Sequence, residues 1–293
     1  MQTRREFISN LVKFSGGLAL MNSNLFATNK PQIPSVNLNN GVKMPILGYG
    51  TYDLSDTTKC VLDALSVGYR LIDTAQMYGN EEEVGEALRI SKVPLHELFI
   101  TTKLSQNMSY KETLKSINVA IKKLKLEYID LLLIHGAYSD SKQMYKAMEE
   151  LYENGVLRAI GISNFTTKKY VDFVKDVKIT PMINQMETHV FFMQKELRAV
   201  MKDTRLEAWS PFANGKNGYF SNLVLDGIAK KHGKNIAQIG LRYLIQNGII
   251  AIPKTTKKSR MIENIDIFDF SLDDEDLTKI SHLDTNKSLF GWY

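Results

Sequence analysis

The chain has 293 residues, 44% of them hydrophobic and 24% charged, which is ordinary globular material and long enough for one large α/β domain plus an extension. A single cysteine, Cys60, excludes an internal disulfide and a multi-thiolate metal site, and the five histidines show no ligand spacing, so no metal is expected. The net charge of +5 comes without an Arg/Lys stripe interleaved with aromatics, which argues against nucleic acid and leaves a phosphorylated cofactor or an anionic substrate open.

In chain order, residues 1–30 read as a segment apart. Thr3-Arg4-Arg5-Glu6-Phe7 is followed by a moderately apolar run from Phe14 to Leu20 and by small and polar residues to Ala27. This resembles a bacterial twin-arginine (Tat) signal peptide and predicts periplasmic export, with a cytoplasmic location as the alternative. An amphipathic helix or a tail is the other reading of the segment. No later stretch is long and apolar enough to span a membrane. Residues 31–293 contain no linker and read as a single domain.

That domain opens with Val36-Asn37-Leu38 and Val42-Lys43-Met44 flanking Asn39-Asn40-Gly41, a hairpin signal. Eight strand-like runs follow: 46–51, 71–75, 98–104, 129–135, 159–164, 182–187, 206–210 and 249–254. Most are apolar and rich in Ile, Leu or Val, as strands buried on both faces of a parallel sheet are. Helix-period segments lie between them, among them 57–66, 81–91, 110–124, 141–153, 166–174, 194–201 and 236–246. Asn154-Gly155 and Asn247-Gly248 stand where helices must stop before a strand. This alternation predicts an α/β fold of the (β/α)8 TIM barrel type, with the N-terminal hairpin capping the barrel bottom. A doubly wound sheet is the runner-up; Gly48-Tyr49-Gly50-Thr51-Tyr52-Asp53 lacks the third glycine of its dinucleotide fingerprint.

In such barrels the chemistry sits at the C-terminal strand ends. Those ends carry Asp73, Lys103, His135, Ser163, Asn164, Gln185, Trp209, Ser210 and Lys254, with Tyr78 in the loop after Asp73. Taken singly, Asp73 reads as well as a helix cap, Tyr78 as a loop aromatic and His135 as a structural histidine. Together they make a proton-transfer system. Lys103 favours the tyrosinate and is expected to lower the Tyr78 pKa, Asp73 holds Lys103 charged, and His135 donates or accepts a hydrogen bond at a substrate oxygen.

At these residues the chain resembles the aldo-keto reductase family. The motifs are Leu-Gly-Tyr-Gly-Thr at 47–51, Ile-Asp-Thr-Ala-Gln-Met-Tyr-Gly-Asn-Glu at 72–81, Thr-Thr-Lys-Leu at 101–104 and Leu-Leu-Ile-His at 132–135. They continue with Gly-Ile-Ser-Asn-Phe at 161–165, Asn-Gln-Met-Glu at 184–187, Trp-Ser-Pro-Phe at 209–212 and Ile-Pro-Lys at 252–254. The resemblance spans about residues 35–290 and implies reduction of aldehydes, ketones or keto-sugars by hydride from NADPH. It implies a catalytic tetrad of Asp73, Tyr78, Lys103 and His135, with Tyr78 as general acid. It puts Gly50 and Thr51 beside the nicotinamide and Ser163, Asn164 and Gln185 on its carboxamide. Trp209, followed by Ser210, stacks on the ring and resembles the bacterial 2,5-diketogluconate reductase branch. Lys254, Thr255 and Arg260 contact the 2′-phosphate, with Glu263 and Asn264 near the adenine and Lys257 and Lys258 adding positive field. NADPH/NADP+ is therefore expected over NADH.

The chain departs from the family at Tyr52 and at Gly136-Ala137-Tyr138, where the family often has tryptophan, and its last residues, Ser288 to Tyr293, form no long specificity loop. An open substrate pocket walled by Tyr52, Tyr138, Phe212 and Trp292 is expected. The partner is a small-molecule carbonyl compound, and nothing in the sequence calls for more than a monomer. The competing reading is an NADPH-binding, redox-sensing regulatory subunit with little turnover.

Overall fold

A computed structural model describes residues 33–292. The expected leader over residues 1–30 lies outside the described residues. The hairpin forms as β1 (Ser35–Asn37) and β2 (Lys43–Pro45), with Val36 opposite Met44. Its turn needs a left-handed residue, supplied by Gly41 at φ +83°. Asn39 donates to the Thr180 and Pro181 carbonyls and Asn40 to the Arg158 carbonyl, while Arg205 donates to the Asn37 carbonyl. All these partners precede or begin barrel strands, so the hairpin caps the N-terminal end of the barrel.

Eight strands follow: β3 (Tyr49–Gly50), β4 (Leu71–Asp73), β5 (Phe99–Leu104), β6 (Ile129–Ile134), β7 (Leu157–Ser163), β8 (Ile183–Glu187), β9 (Arg205–Trp209) and β10 (Ile250–Ala251). They are parallel and adjacent in chain order. The ring closes between first and last. Leu47 bridges Ala251 in parallel, Gly48 donates to the Ala251 carbonyl and Gly50 to the Pro253 carbonyl. Both strands at this seam are shorter than the runs 46–51 and 249–254 predict. Pro253 has no N–H to extend the ladder there. The seam is also tight: a Cβ on Gly48 would lie 2.4 Å from the Leu71 side chain.

The helices α1 (Thr57–Val67), α2 (Glu81–Ile90), α3 (Tyr110–Leu124), α4 (Ser141–Glu153), α5 (Thr167–Val174), α6 (Lys195–Val200), α7 (Leu223–His232), α8 (Ile236–Gln246), α9 (Lys258–Ile265) and α10 (Asp274–Ser281) include the seven expected segments. The local reasons are visible in α3. A capping box between Ser109 and Glu112 starts it, and Thr113, Ile117, Ala120 and Leu124 form one buried stripe. Gly155, at φ +75°, follows α4 as anticipated. Cys60 is a buried residue of α1. Every residue of β6 is buried, because the helices cover the outer face and the barrel interior the inner one. The polar residues left over gather at the C-terminal rim, opposite the hairpin.

Candidate active site

Asp73 ends β4, Lys103 is the penultimate residue of β5, and His135 follows β6. Tyr78 is placed by a 3-10 turn, Gln76–Tyr78, that Gly79 ends at φ +69°. Two contacts pin this turn to the end of β5. The Met77 N–H donates to Ser105 Oγ, and the Ser105 N–H donates to Gln76 Oε1. Buried Asn80 secures its other side, accepting from the Thr74 hydroxyl and donating to the Thr51 carbonyl.

The four residues meet. Lys103 Nζ donates to Asp73 Oδ1 at 2.5 Å, to the Thr74 carbonyl at 2.9 Å and to the Tyr78 oxygen at 3.3 Å. Three acceptors for three N–H groups fit an ammonium and leave the Tyr78 hydroxyl proton free. Lys103 is completely buried. Burial works against its charge, but Asp73 and Tyr78 outweigh it and hold the pKa up. Burial also pushes the Asp73 carboxyl up, with Lys103 and Gln185 pulling it back. For Tyr78 the expected lowering does not prevail. Lys103 does lower it, yet burial is the larger effect and leaves the phenol above its ordinary value. The phenol is thus kept protonated at neutral pH.

The His135 ring lies edge-on to Tyr78, 5.7 Å between centroids. Burial, helped by the Lys103 charge, drives its pKa down to about 3, so the imidazole is neutral at physiological pH. Its Nδ1 is 3.0 Å from Ser105 Oγ.

Gln185, inside β8, turns both amide hydrogens inward: Nε2 donates to Asp73 Oδ2 at 2.9 Å and to Glu207 Oε2 at 2.8 Å. Only its carbonyl oxygen remains for a ligand in the cavity it lines. Asn164 and Ser210 follow β7 and β9 in left-handed conformations, φ +62° and +50°. Such backbone strain is characteristic of functional sites. The Asn164 amide donates to the His135 carbonyl, and its oxygen accepts the Trp209 indole N–H. Ser163 is buried behind Asn164, its hydroxyl donating to the Gln185 carbonyl.

One cavity of about 1280 Å³ joins these groups. That exceeds the roughly 300–1,000 Å³ of a drug-sized site and suits a dinucleotide with a substrate. Asp73, Tyr78, His135 and Gln185 line its floor; Lys103 and Ser163 stand behind it. Lys254, Thr255, Arg260, Glu263 and Asn264 line the end near α9, and Gly50 and Thr51 the side between. Among the described residues Arg260 has no carboxylate partner, whereas Lys254 faces Asp53 at 3.9 Å. This donor set fits a phosphorylated nicotinamide dinucleotide: cations and hydroxyl for the 2′-phosphate, an amide oxygen and an indole for the nicotinamide.

Tyr52, Tyr138, Phe212 and Trp292 also line the cavity. Trp292 lies on the Trp209 ring, 5.0 Å between centroids and 18° from parallel. The tail that carries it is tied down: Glu187 accepts from the Ser288 hydroxyl and the Leu289 N–H, and Lys216 donates to the Leu289 carbonyl. Sequence reasoning passed over Ser105, Glu187 and Glu207. For Glu207 a signal existed, a lone acid in the apolar run 206–210.

A sequence profile described as the aldo/keto reductase family matches residues 37–285. The chain is 44% identical over 260 residues to a glyoxal reductase of Bacillus subtilis, covering 86% of this chain and 94% of the relative. Among solved structures it is similar to an aldo-keto reductase enzyme from a Medee basin deep-sea metagenome library, at TM-score 0.84 and 42% identity over 87% of this chain and 97% of that one. An aldo-keto reductase of Bombyx mori in complex with NADP matches at TM-score 0.82 and 33% identity, over 88% and 94% of the two chains.

Proposed function

The chain belongs to the aldo/keto reductase family, and we propose that it reduces aldehydes, ketones or keto-sugars to alcohols with NADPH, Tyr78 acting as general acid. The observation that carries this reading is the buried Lys103, which touches both Asp73 and the Tyr78 oxygen at the floor of the cavity. A reduced nicotinamide bound there supplies the hydride. The protein's own residues do the rest. Gln185 and Asn164 orient the carboxamide and Trp209 the ring, so that one ring face meets the carbonyl. His135 holds the carbonyl oxygen, and Tyr78 gives its proton to that oxygen as negative charge develops. Lys103 then stabilises the tyrosinate until solvent reprotonates it. Arg260, Thr255 and Lys254 select the 2′-phosphate and so NADPH over NADH.

The similarity to a glyoxal reductase supports small reactive carbonyls as one substrate group, and the exposed Tyr52 and Trp292 support a wide mouth that takes larger ones. A regulatory cofactor-binding role has no use for Tyr78 with a free hydroxyl proton, which favours the enzyme. The test is direct. NADPH and 4-nitrobenzaldehyde are added to the purified chain, and loss of the reduced-cofactor absorbance is followed against a Tyr78→Phe control. Oxidation no faster than the control would end the enzymatic reading.

A further inference from the structure

Glu207 is completely buried in β9 and, among the described residues, forms no ion pair and leaves Oε1 without a hydrogen-bond partner. It is opposite Gln185 in the β8–β9 register and two residues before Trp209, hence on the same face of the strand. Trp209 and Gln185 both line the cavity, so Glu207 lies one layer beneath the expected nicotinamide position. The ionisable groups that face it are Asp73 from β4 and Lys103 from β5. From its two neighbouring strands it meets Gln185 on β8 and, in register on β10, apolar Ile250. Asp73 and Lys103 cancel. An ionised Glu207 would therefore leave this interior with one uncompensated negative charge, and such a charge is costly in a low-dielectric interior.

We propose that Glu207 is a proton-linked positioning residue for the cofactor, protonated beside a neutral reduced nicotinamide and ionised when the cationic oxidised ring sits over Gln185. The inference rests on the nicotinamide reading given above. In both states Glu207 accepts one Gln185 N–H and Asp73 the other, which keeps the Gln185 oxygen turned toward the cavity. On ionisation the carboxyl releases its O–H proton to solvent, and the ring's positive charge replaces it. Burial, with Asp73 adding to it, pushes the Glu207 carboxyl well above the ordinary carboxylate range.

The experiment counts protons. Titration calorimetry of NADP+ and of NADPH at pH 7.5, in buffers of different ionisation enthalpy, gives the protons released on binding each. The 2′-phosphate is common to both and cancels in the difference. The wild-type chain is expected to release more protons with NADP+ than with NADPH, by up to about one. In Glu207→Gln the difference vanishes while both cofactors still bind. A difference that survives in Glu207→Gln and is lost in Tyr78→Phe makes Tyr78 the source and overturns the proposal. If Glu207→Gln fails to fold, infrared difference spectra of the wild-type decide. A protonated-carboxyl band is expected with NADPH and lost with NADP+, and its persistence overturns the proposal. Failure of the wild-type to bind either cofactor removes the nicotinamide reading itself, and the inference with it.

Discussion

Ser105 Oγ lies 3.0 Å from His135 Nδ1, and this contact leaves Nε2 as the other ring nitrogen of a side chain that lines the cavity. Ser105 already accepts the Met77 N–H, and its own proton has a nearer acceptor in Nδ1 than in the Lys103 carbonyl at 3.3 Å. That geometry favours the tautomer with its hydrogen on Nε2, which the proposed reaction needs as a donor toward a carbonyl oxygen. Ser105→Ala is expected to lower kcat/KM about tenfold, the size of one hydrogen bond worth about 1.4 kcal/mol. ¹⁵N NMR of the His135 ring should show the Nε2–H tautomer in the wild-type and a mixture in the variant.

Tyr78 and Asp73 separate chemistry from stability. Tyr78→Phe keeps the ring packing and removes the proton, so kcat should fall about 10²–10⁴-fold with cofactor Kd unchanged. Asp73→Asn leaves the buried Lys103 ammonium without its counter-charge. Urea unfolding should show a loss of about 3–5 kcal/mol.

The pH dependence follows from two opposite displacements. With His135 driven down to about 3 and Tyr78 held above its ordinary value, kcat/KM for reduction should show no inflection near pH 6.5. Activity should decline only in the alkaline range, as Tyr78 loses its proton. For stability the His135 contribution has a definite sign. Below pH 6.5 the unfolded chain takes up a proton there that the folded chain refuses, so folding weakens by about 1.4 kcal/mol per pH unit from this group as pH falls toward 3. Denaturant titrations of wild-type and His135→Asn over that window measure the difference.

Arg260 tests cofactor selection. Arg260→Ala should weaken NADPH binding about 10- to 100-fold, as loss of a charge-assisted contact worth about 1.5–3 kcal/mol implies, and leave NADH binding unchanged. Equilibrium titration with each cofactor measures both.

Alanine at Tyr52, Tyr138 or Phe212 should change the ranking of kcat/KM across a panel of aldehydes of graded size, since all three side chains line the cavity. An unchanged ranking would mean that they do not wall the substrate.

Much of this architecture was legible in the chain. The helices 110–124, 141–153 and 236–246 match end to end, because amphipathic period and capping residues are local signals. The strand ends that bear Asp73, Lys103 and His135 were legible for the same reason. The seam between β3 and β10 was not, because its length depends on how a ring closes between residues two hundred apart. The roles of Ser105 and Glu207 were not either. Which atom of Ser105 meets His135 depends on the β5–β6 stagger, where the His135 N–H donates to the Leu104 carbonyl. Whether an acid in β9 faces the helix layer or the barrel interior depends on its register with β8. The net direction of the Tyr78 shift was misjudged because a charge partner can be read from a motif and the depth of burial cannot.

The Trp209–Trp292 pair has a practical side. The chain has two tryptophans, and both are in this stack at the cavity. Its indole emission therefore originates from one place, without background from the rest of the fold. Quenching or a spectral shift on adding a dinucleotide would report the state of that stack alone, and a Trp292→Phe chain would leave a single emitter whose lifetime follows Trp209. The enzyme thus contains its own optical probe, positioned where occupancy of the cavity can be followed without a label.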